Sequence, residues 1–182
     1  FIPKNILLKK AKTDKTGKKG LKLPGKKRKR ETAYFYRAAY AFGVLANEEQ
    51  KTRNEKVIAV LFRDCDSQQR GLWQDKWQSM LNGFRDAAFA YGVPMLPKPT
   101  SEAWLLCALK ESPYQNCNKL ENRSSSPNAK RPLKKELEER CGCEVTRDSL
   151  CALVKNKTID AARIDMPSFN KFKTRLLEVI QQ

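Results

Sequence analysis

The fold is set by the segment Val57-Ile58-Ala59-Val60-Leu61-Phe62-Arg63-Asp64-Cys65-Asp66-Ser67, an apolar run that ends on two carboxylates one residue apart. The run is short, rich in β-branched residues and aromatic at its end, so it predicts a buried strand rather than a helix. Residues i and i+2 of an extended segment point to the same side, and open α/β sheets carry their working groups at the carboxyl ends of strands. Asp64 and Asp66 are therefore predicted to converge on one spot.

Two interpretations of this carboxylate pair are open. Two carboxylates held close together repel, and a shared proton or a divalent cation with hard oxygen ligands relieves the repulsion. Mg²⁺ and Mn²⁺ are the cations that suit such ligands. The structural alternative is that Asp64 caps a turn and Asp66 caps the next helix, because Asp is common in both positions.

The elements around this strand predict a parallel α/β core. Residues 31–53 and 73–91 carry apolar side chains at helical spacing, and Gly92 is expected to end the second helix. Val93-Pro94-Met95-Leu96 is expected to form a second short strand. A strand, helix, strand order normally gives parallel pairing. Further helices are predicted over residues 133–140 and 146–155 and from Met166 onward.

A third carboxylate follows the second predicted strand. The segment Thr100-Ser101-Glu102-Ala103-Trp104-Leu105-Leu106 begins with a helix cap and places Glu102 in the first turn of an apolar helix. If the two strands lie side by side, Glu102 starts its helix near Asp64 and Asp66. Three carboxylates would then surround one or two cations of the kind that many nucleases use. Taken alone, Glu102 would simply complement the helix dipole.

The charge distribution indicates a nucleic-acid partner. The chain carries a formal net charge of +17, and residues 1–30 hold 13 Lys or Arg against one Asp. Such a run stays extended until phosphates neutralise it, so we predict a basic, flexible arm over residues 1–30 and an α/β domain with a helical C-terminal part over residues 31–182. A solvated tail that aids solubility is the alternative for the arm. A second group of cations, with a solvated face as its default interpretation, comprises Lys130, Arg131, Lys134 and Lys135.

The residue types exclude several functions. No histidine is present, so Ser-His-Asp hydrolysis and Cys-His proteolysis are excluded within this chain. Neither a P-loop nor a dinucleotide-binding glycine motif occurs. The six cysteines lack C-x-x-C spacing, so buried thiols in a reducing cytoplasm are expected rather than disulfides or structural zinc. No apolar stretch reaches bilayer length and no secretory signal is visible, so we expect a cytoplasmic protein without a membrane partner.

Three segments together resemble a poorly characterised bacterial family with a TOPRIM-like fold. These are Arg63-Asp64-Cys65-Asp66, the Trp-rich helix, and Val93-Pro94-Met95-Leu96-Pro97-Lys98-Pro99 followed by Ser101-Glu102-Ala103-Trp104-Leu105-Leu106. Related domains occur in topoisomerases, primases, overcoming-lysogenization-defect nucleases and phage-defence effectors. The resemblance covers about residues 55–120 and implies a mainly parallel sheet flanked by helices, with Mg²⁺-dependent phosphodiester chemistry. Asp64 and Asp66 match the TOPRIM Asp-x-Asp pair, and Glu102 matches the acidic residue of the Glu-Ala-Trp segment.

One part of the TOPRIM pattern is missing from the chain. TOPRIM domains carry another glutamate at the end of an earlier strand, whereas residues 1–56 contain no such strand and glutamate. Because the chain begins with Phe1 rather than Met, the expectation is that this strand either precedes Phe1 or is absent. In the second case the protein would bind nucleic acid and metal without cleaving.

The sequence thus predicts a Mg²⁺- or Mn²⁺-dependent endonuclease that cleaves DNA or RNA as an antiphage defence effector. Asp64, Asp66 and Glu102 would hold the cation, and Lys98 would stabilise charge on the phosphate under attack. The alternatives are a catalytically silent nucleic-acid-binding subunit and an adaptor for an ATPase partner. Nucleic-acid contacts are predicted from Lys26, Lys27, Arg28, Lys29, Arg30 and Arg63.

Overall fold

The chain folds into two compact units, each built from separate segments. A computed structural model describes residues 2–3, 5–7, 28–67, 70–142 and 144–182, although not the side chains of residues 28–31, 70 and 71. The first unit takes in the described residues of Phe1–Phe62, Gln74–Pro94 and Arg175–Gln182. The second unit takes in those of Arg63–Trp73 and Met95–Thr174.

The described part of the chain contains six longer helices and two strands. Short 3-10 helices lie at Cys117–Asn122 and Ala161–Arg163. In chain order the longer elements are α1 Arg28–Arg53, β1 Ala59–Phe62, α2 Arg70–Asp86, β2 Gly92–Met95, α3 Ser101–Leu109, α4 Leu133–Cys141, α5 Arg147–Lys155 and α6 Pro167–Gln181.

The two strands form a parallel sheet, as the strand, helix, strand order predicted. The Ala59 N–H donates to the Tyr91 carbonyl at 3.1 Å, and the Arg63 N–H donates to the Met95 carbonyl at 3.0 Å. Strands β1 and β2 therefore run in the same direction. Within the described residues the sheet contains β1 and β2 only, so the mixed helical and parallel-strand architecture is confirmed while the TOPRIM fold stays a prediction.

Strand β1 is buried on one face and exposed on the other, so the prediction of a buried central strand was wrong for one of its faces. Ala59 and Leu61 are 2% and 4% exposed, whereas Val60 and Phe62 are 38% and 47% exposed. Successive side chains of a strand point to opposite faces. An uninterrupted apolar run does not reveal which of these faces is covered.

Helix α2 ends earlier than predicted, and Gly92 does not end it. The Phe89 N–H donates to the Phe84 carbonyl and the Ala88 N–H to the Arg85 carbonyl, at 3.0 and 2.9 Å. Ala88 has φ of 52°, so this is a Schellman motif with alanine in the left-handed position that usually holds glycine. Gly92 instead begins β2, where an added Cβ would overlap the Phe84 ring.

The core of the second unit forms around α3. Trp104 lies against Phe169, with ring centroids 4.8 Å apart in an edge-to-face arrangement. Cys107 and Cys117 form a disulfide, so the expectation of reduced thiols was wrong for this pair. The free cysteines also differ, because Cys65 is buried and Cys151 is exposed. The buried core residues of the unit are Ala103, Trp104, Leu106, Cys107, Cys117, Leu120, Leu133, Leu137, Ile164, Met166 and Phe169.

The remaining predicted helices are present. Helix α5 begins with a capping box, in which Thr146 and Ser149 each accept a hydrogen bond from the other's backbone N–H. Helix α1 begins at Arg28, inside the range predicted for the basic arm, and residues 5–7 are helical. Residues 8–27 lie outside the described part of the chain, so the division at residue 30 stays a prediction. None of the described helices combines the length and apolarity needed to cross a bilayer.

Candidate functional site

The acidic loop, residues 63–67, continues the parallel ladder beyond the end of β1. The Cys65 N–H donates to the Pro97 carbonyl at 3.1 Å, and the Asp66 N–H donates to the Pro99 carbonyl at 2.9 Å. The segment that accepts these bonds is itself held by Trp73, whose indole N–H donates to the Leu96 carbonyl at 2.8 Å. The backbone of the two aspartates is thus fixed by hydrogen bonds rather than left as an open turn.

Asp64 joins the acidic loop to helix α3. Its Oδ1 accepts a hydrogen bond from the Ser101 N–H at 2.7 Å. Thr100 occupies the N-cap position of this helix but makes no capping bond through its side chain. Asp64 therefore caps α3 from 37 residues away in the chain, and its negative charge lies at the positive end of the helix dipole.

The electrostatics of Asp64 connect it with the two other predicted ligands. Burial raises the pKa of the Asp64 carboxyl above its ordinary value, and the negative charges of Glu102 and Asp66 raise this pKa further. The hydrogen bond from Ser101 acts in the opposite direction and lowers it. The negative charges of both other carboxylates thus act on Asp64, as expected if the three residues lie near one another.

The three carboxylates differ in their access to solvent. Asp64 and Glu102 are partly buried, and Asp66 is exposed. Asp66 has φ of 54°, a left-handed conformation that Asp tolerates better than most residues. Among the described residues, no three Cys, Asp or Glu side chains lie close enough together to hold a metal ion. The loop therefore offers one or two carboxylate ligands rather than a complete protein cage.

Lys98 lies between Pro97 and Pro99, the two residues whose carbonyls accept hydrogen bonds from the acidic loop. The residue is 6% exposed. Within the described part of the chain, its ammonium forms no hydrogen bond or ion pair. The Lys98 ammonium is not one of the fully buried side-chain atoms that lack a hydrogen-bond partner, so its aliphatic stem is buried while its charge reaches solvent. Lys98 is thus a place where an incoming anion would be stabilised.

Some of the predicted nucleic-acid contacts lie outside the part of the chain that the structure describes. Arg63 is partly buried and begins the acidic loop, where its N–H bonds to Met95. Arg28, Lys29 and Arg30 form the first turn of α1, and their side chains lie outside the described atoms. Lys26 and Lys27 lie outside the described residues. The roles predicted for these cations stay predictions.

The groups that hold the site together were not predicted from the sequence. The Ser101 N–H and the carbonyls of Pro97 and Pro99 are backbone groups, so residue types reveal little about them. One signal was present, since a Thr-Ser pair before an apolar helix indicates that helix's first residue. It does not indicate that a distant aspartate would cap that helix.

No protein-family model, curated protein or solved structure matches the chain. The resemblance to TOPRIM domains therefore stays a prediction from three short segments. The function has to be inferred from the acidic loop and the groups around it.

Proposed function

We propose that the protein is a divalent-cation-dependent nuclease with a TOPRIM-like site, acting on DNA or RNA phosphodiesters. The observation that carries the proposal is the acidic loop, in which Asp64 and Asp66 follow the carboxyl end of a parallel strand and Asp64 caps the helix that carries Glu102. An assignment to antiphage defence rests on the motif resemblance alone.

The side chains of the loop fit Mg²⁺ or Mn²⁺ through one or two carboxylates. Mg²⁺ usually keeps several waters and is bound by a few carboxylates together with substrate phosphates. A complete three-residue cage is therefore not required. Asp66 and the second oxygen of Asp64 would hold the cation, and Glu102 would orient water or complete the coordination. When bound, the cation would polarise a phosphate oxygen and lower the pKa of a coordinated water.

Protonation links Asp64 to cation binding. Because the pKa of Asp64 lies above its ordinary value, chiefly through burial, its carboxyl takes up a proton at a higher pH than an ordinary aspartate does. A carboxyl must be ionised to bind a cation, so binding releases a proton and weakens as the pH falls. The role of Asp64 is to hold negative charge beside the cation while its other oxygen keeps α3 in place.

Lys98 would act on the substrate rather than on the cation. Its ammonium has no partner among the described residues and is not one of the fully buried unpartnered atoms, so it can reach a phosphate oxygen. A cation already in position stabilises charge that develops on a phosphate in the transition state. Lys98→Met is expected to lower cleavage more than it weakens binding.

Cleavage of labelled plasmid, single-stranded DNA and total RNA with Mg²⁺ or Mn²⁺ tests the proposal. Asp64→Asn and Asp66→Asn are expected to lose cleavage, whereas Asp75→Asn, at an exposed position of α2, should keep it. Equal cleavage by all three variants would reject the acidic loop as the reacting site.

A catalytically silent nucleic-acid-binding subunit is the second candidate. It is favoured by the capping role of Asp64, which occupies one carboxylate oxygen, and by the lack of a three-carboxylate group among the described residues. Binding of nucleic acid without cleavage under every condition of the assay would select this candidate.

A further inference from the structure

We propose that the start of helix α4 forms a second nucleic-acid-binding surface, separate from the N-terminal basic arm. The surface is the cationic cluster of Lys130, Arg131, Lys134 and Lys135, which would contact backbone phosphates of the polymer. The four residues fall within six positions of the chain, and all are exposed. This inference deepens the proposed function, because it assigns the surface that holds the substrate polymer.

The charges of α4 oppose the helix dipole at its beginning. Lys134 and Lys135 lie in the first turn of Leu133–Cys141, where the unbonded N–H groups already create positive potential. Cations in this position destabilise a helix, and anions stabilise it. A polyanion bound here would turn an unfavourable arrangement into a favourable one.

The acidic residue of this first turn pairs with Arg131 of the cluster but not with its three lysines. Glu136 is 9% exposed, and its two oxygens pair with Arg123 at 2.7 Å and with Arg131 at 3.3 Å. The Arg123 guanidinium also donates to the Arg131 carbonyl at 2.6 Å. Glu136 is thus already matched by two arginines, one of which fixes the backbone that leads into the cluster.

The lysines of the cluster remain available to a ligand. Lys134 and Lys135 are each followed four positions later by an exposed glutamate, Glu138 and Glu139. Lysine before glutamate is the less favourable order for a helical ion pair. Within the described part of the chain, Lys130, Lys134 and Lys135 form no ion pair or hydrogen bond through their side chains. Their ammonium groups are therefore solvated and free to meet phosphates.

A run of contacts inside the second unit leads from the cluster to the helix that carries Glu102. Arg123 lies two residues after Glu121, whose carboxylate accepts a hydrogen bond from the Ser168 N–H at 2.7 Å. The Ser168 hydroxyl in turn accepts from the Trp104 indole at 2.8 Å. Trp104 is two residues from Glu102 on α3. The cluster and the acidic loop thus belong to one compact unit, to which a single polymer can bind.

A nucleic acid fits this surface better than an anionic membrane does. Surfaces that bind membranes combine cations with apolar side chains that enter the lipid. The two leucines of α4, Leu133 and Leu137, are 3% and 1% exposed, so they are committed to the protein core. The cluster therefore offers charge without an apolar face, which is the combination that contacts with a phosphate backbone need.

The test is binding of fluorescently labelled duplex DNA, single-stranded DNA and RNA to the full chain in EDTA, where cleavage is switched off. Lys134→Gln/Lys135→Gln is compared with Lys155→Gln/Lys171→Gln, which removes the same charge from exposed positions on α5 and α6. The cluster variant is expected to bind duplex DNA more than about tenfold more weakly at about 0.1 M salt. Its plot of log K against log salt should lose a slope of about 2.

The outcomes separate this inference from the proposed function. Equal weakening by the control pair, or unchanged binding by the cluster variant, would overturn the inference while leaving cleavage by the acidic loop untouched. Loss of binding to anionic vesicles but not to nucleic acid would also overturn it. The melting temperature of the cluster variant should equal or exceed that of the wild type, because the removed charges oppose the dipole. A clear fall would show that the lysines serve the fold instead.

Discussion

At the level of single residues, Asp64 caps a helix, and the burial of its negative charge is unfavourable. Its Oδ1 caps α3 through Ser101, and its pKa is raised, first by burial and then by its acidic neighbours. An amide would accept the same hydrogen bond without the cost of burying a charge, although it would lose the favourable interaction of the carboxylate with the helix dipole. A carboxylate kept in this place is typical of functional sites, where stability is sacrificed for chemistry.

Asp64→Asn is expected to raise the melting temperature of the metal-free protein at pH 7. The folded wild type holds a proton on Asp64 to higher pH than the unfolded chain does, so its stability falls as the pH rises from the ordinary Asp range through the raised pKa. The variant lacks this fall, and its advantage should grow across that window and then level off. Thermal melts in EDTA from pH 3 to pH 8, with Asp75→Asn as control, provide the measurement. A lower melting temperature with unchanged pH dependence would contradict the assignment.

Some features of the site were predictable from single residues and others were not. The spacing of Asp64 and Asp66 predicted that their side chains point the same way, as residues i and i+2 of a strand do, but Asp66 has φ of 54° and is not extended. The capping bond to Ser101 could not be predicted, since it joins residues 37 positions apart. The burial of Lys98 was equally hidden, because a lysine between two prolines would be expected at the surface.

At the scale of elements, the link between α2 and β2 depends on two small residues. Ala88 takes the left-handed position that ends the helix, and Gly92 allows the chain to pass the Phe84 ring. Gly92 was the predicted helix end because glycine is the usual residue there. The prediction was wrong because the helix ends on an alanine whose steric cost is offset by two Schellman hydrogen bonds.

Ala88→Gly is expected to stabilise the protein by about 0.5–1 kcal/mol, since glycine adopts positive φ without the steric cost of a Cβ. Gly92→Ala should do the opposite and cost about 1–3 kcal/mol, because its new methyl group overlaps Phe84. Urea unfolding of both variants measures these changes. Destabilisation by Ala88→Gly would show that residue 88 does not hold this conformation.

The disulfide between Cys107 and Cys117 is the second feature that operates between elements. It joins α3 to the following 3-10 helix and closes a loop over a sequence separation of 10. Cysteine spacing alone could not predict this pairing, because it depends on the turn that brings the two residues together. The helices that follow were predicted well, because their caps and apolar spacing are local signals.

Cys107→Ser/Cys117→Ser is expected to lower the free energy of unfolding by about 2–4 kcal/mol, through the greater freedom of the unfolded chain. Treatment of the wild type with a reductant should reproduce most of this loss. The exposed Cys151 allows a control, because Cys151→Ser should leave stability nearly unchanged. Equal stability of the double variant and the wild type would show that the two cysteines are not bonded in solution.

At the scale of the whole molecule, charge and architecture come from different parts of the chain. The excess positive charge lies mainly in residues 1–30, most of which fall outside the described residues. The parallel pairing of β1 and β2 was predictable from the order of elements, since a helical crossover between strands favours it. The division into two units was not, because each unit gathers segments distant in sequence.

The proposed nuclease activity requires that Asp64 and Asp66 hold a divalent cation, and Mn²⁺ titration followed by electron paramagnetic resonance measures this binding. We expect the full chain to bind Mn²⁺ at pH 7.5, more tightly with a short oligonucleotide present. Asp66→Asn should weaken this binding by about tenfold or more, while Asp75→Asn should leave it unchanged. Equal Mn²⁺ affinity of the wild type and Asp66→Asn would contradict the proposal.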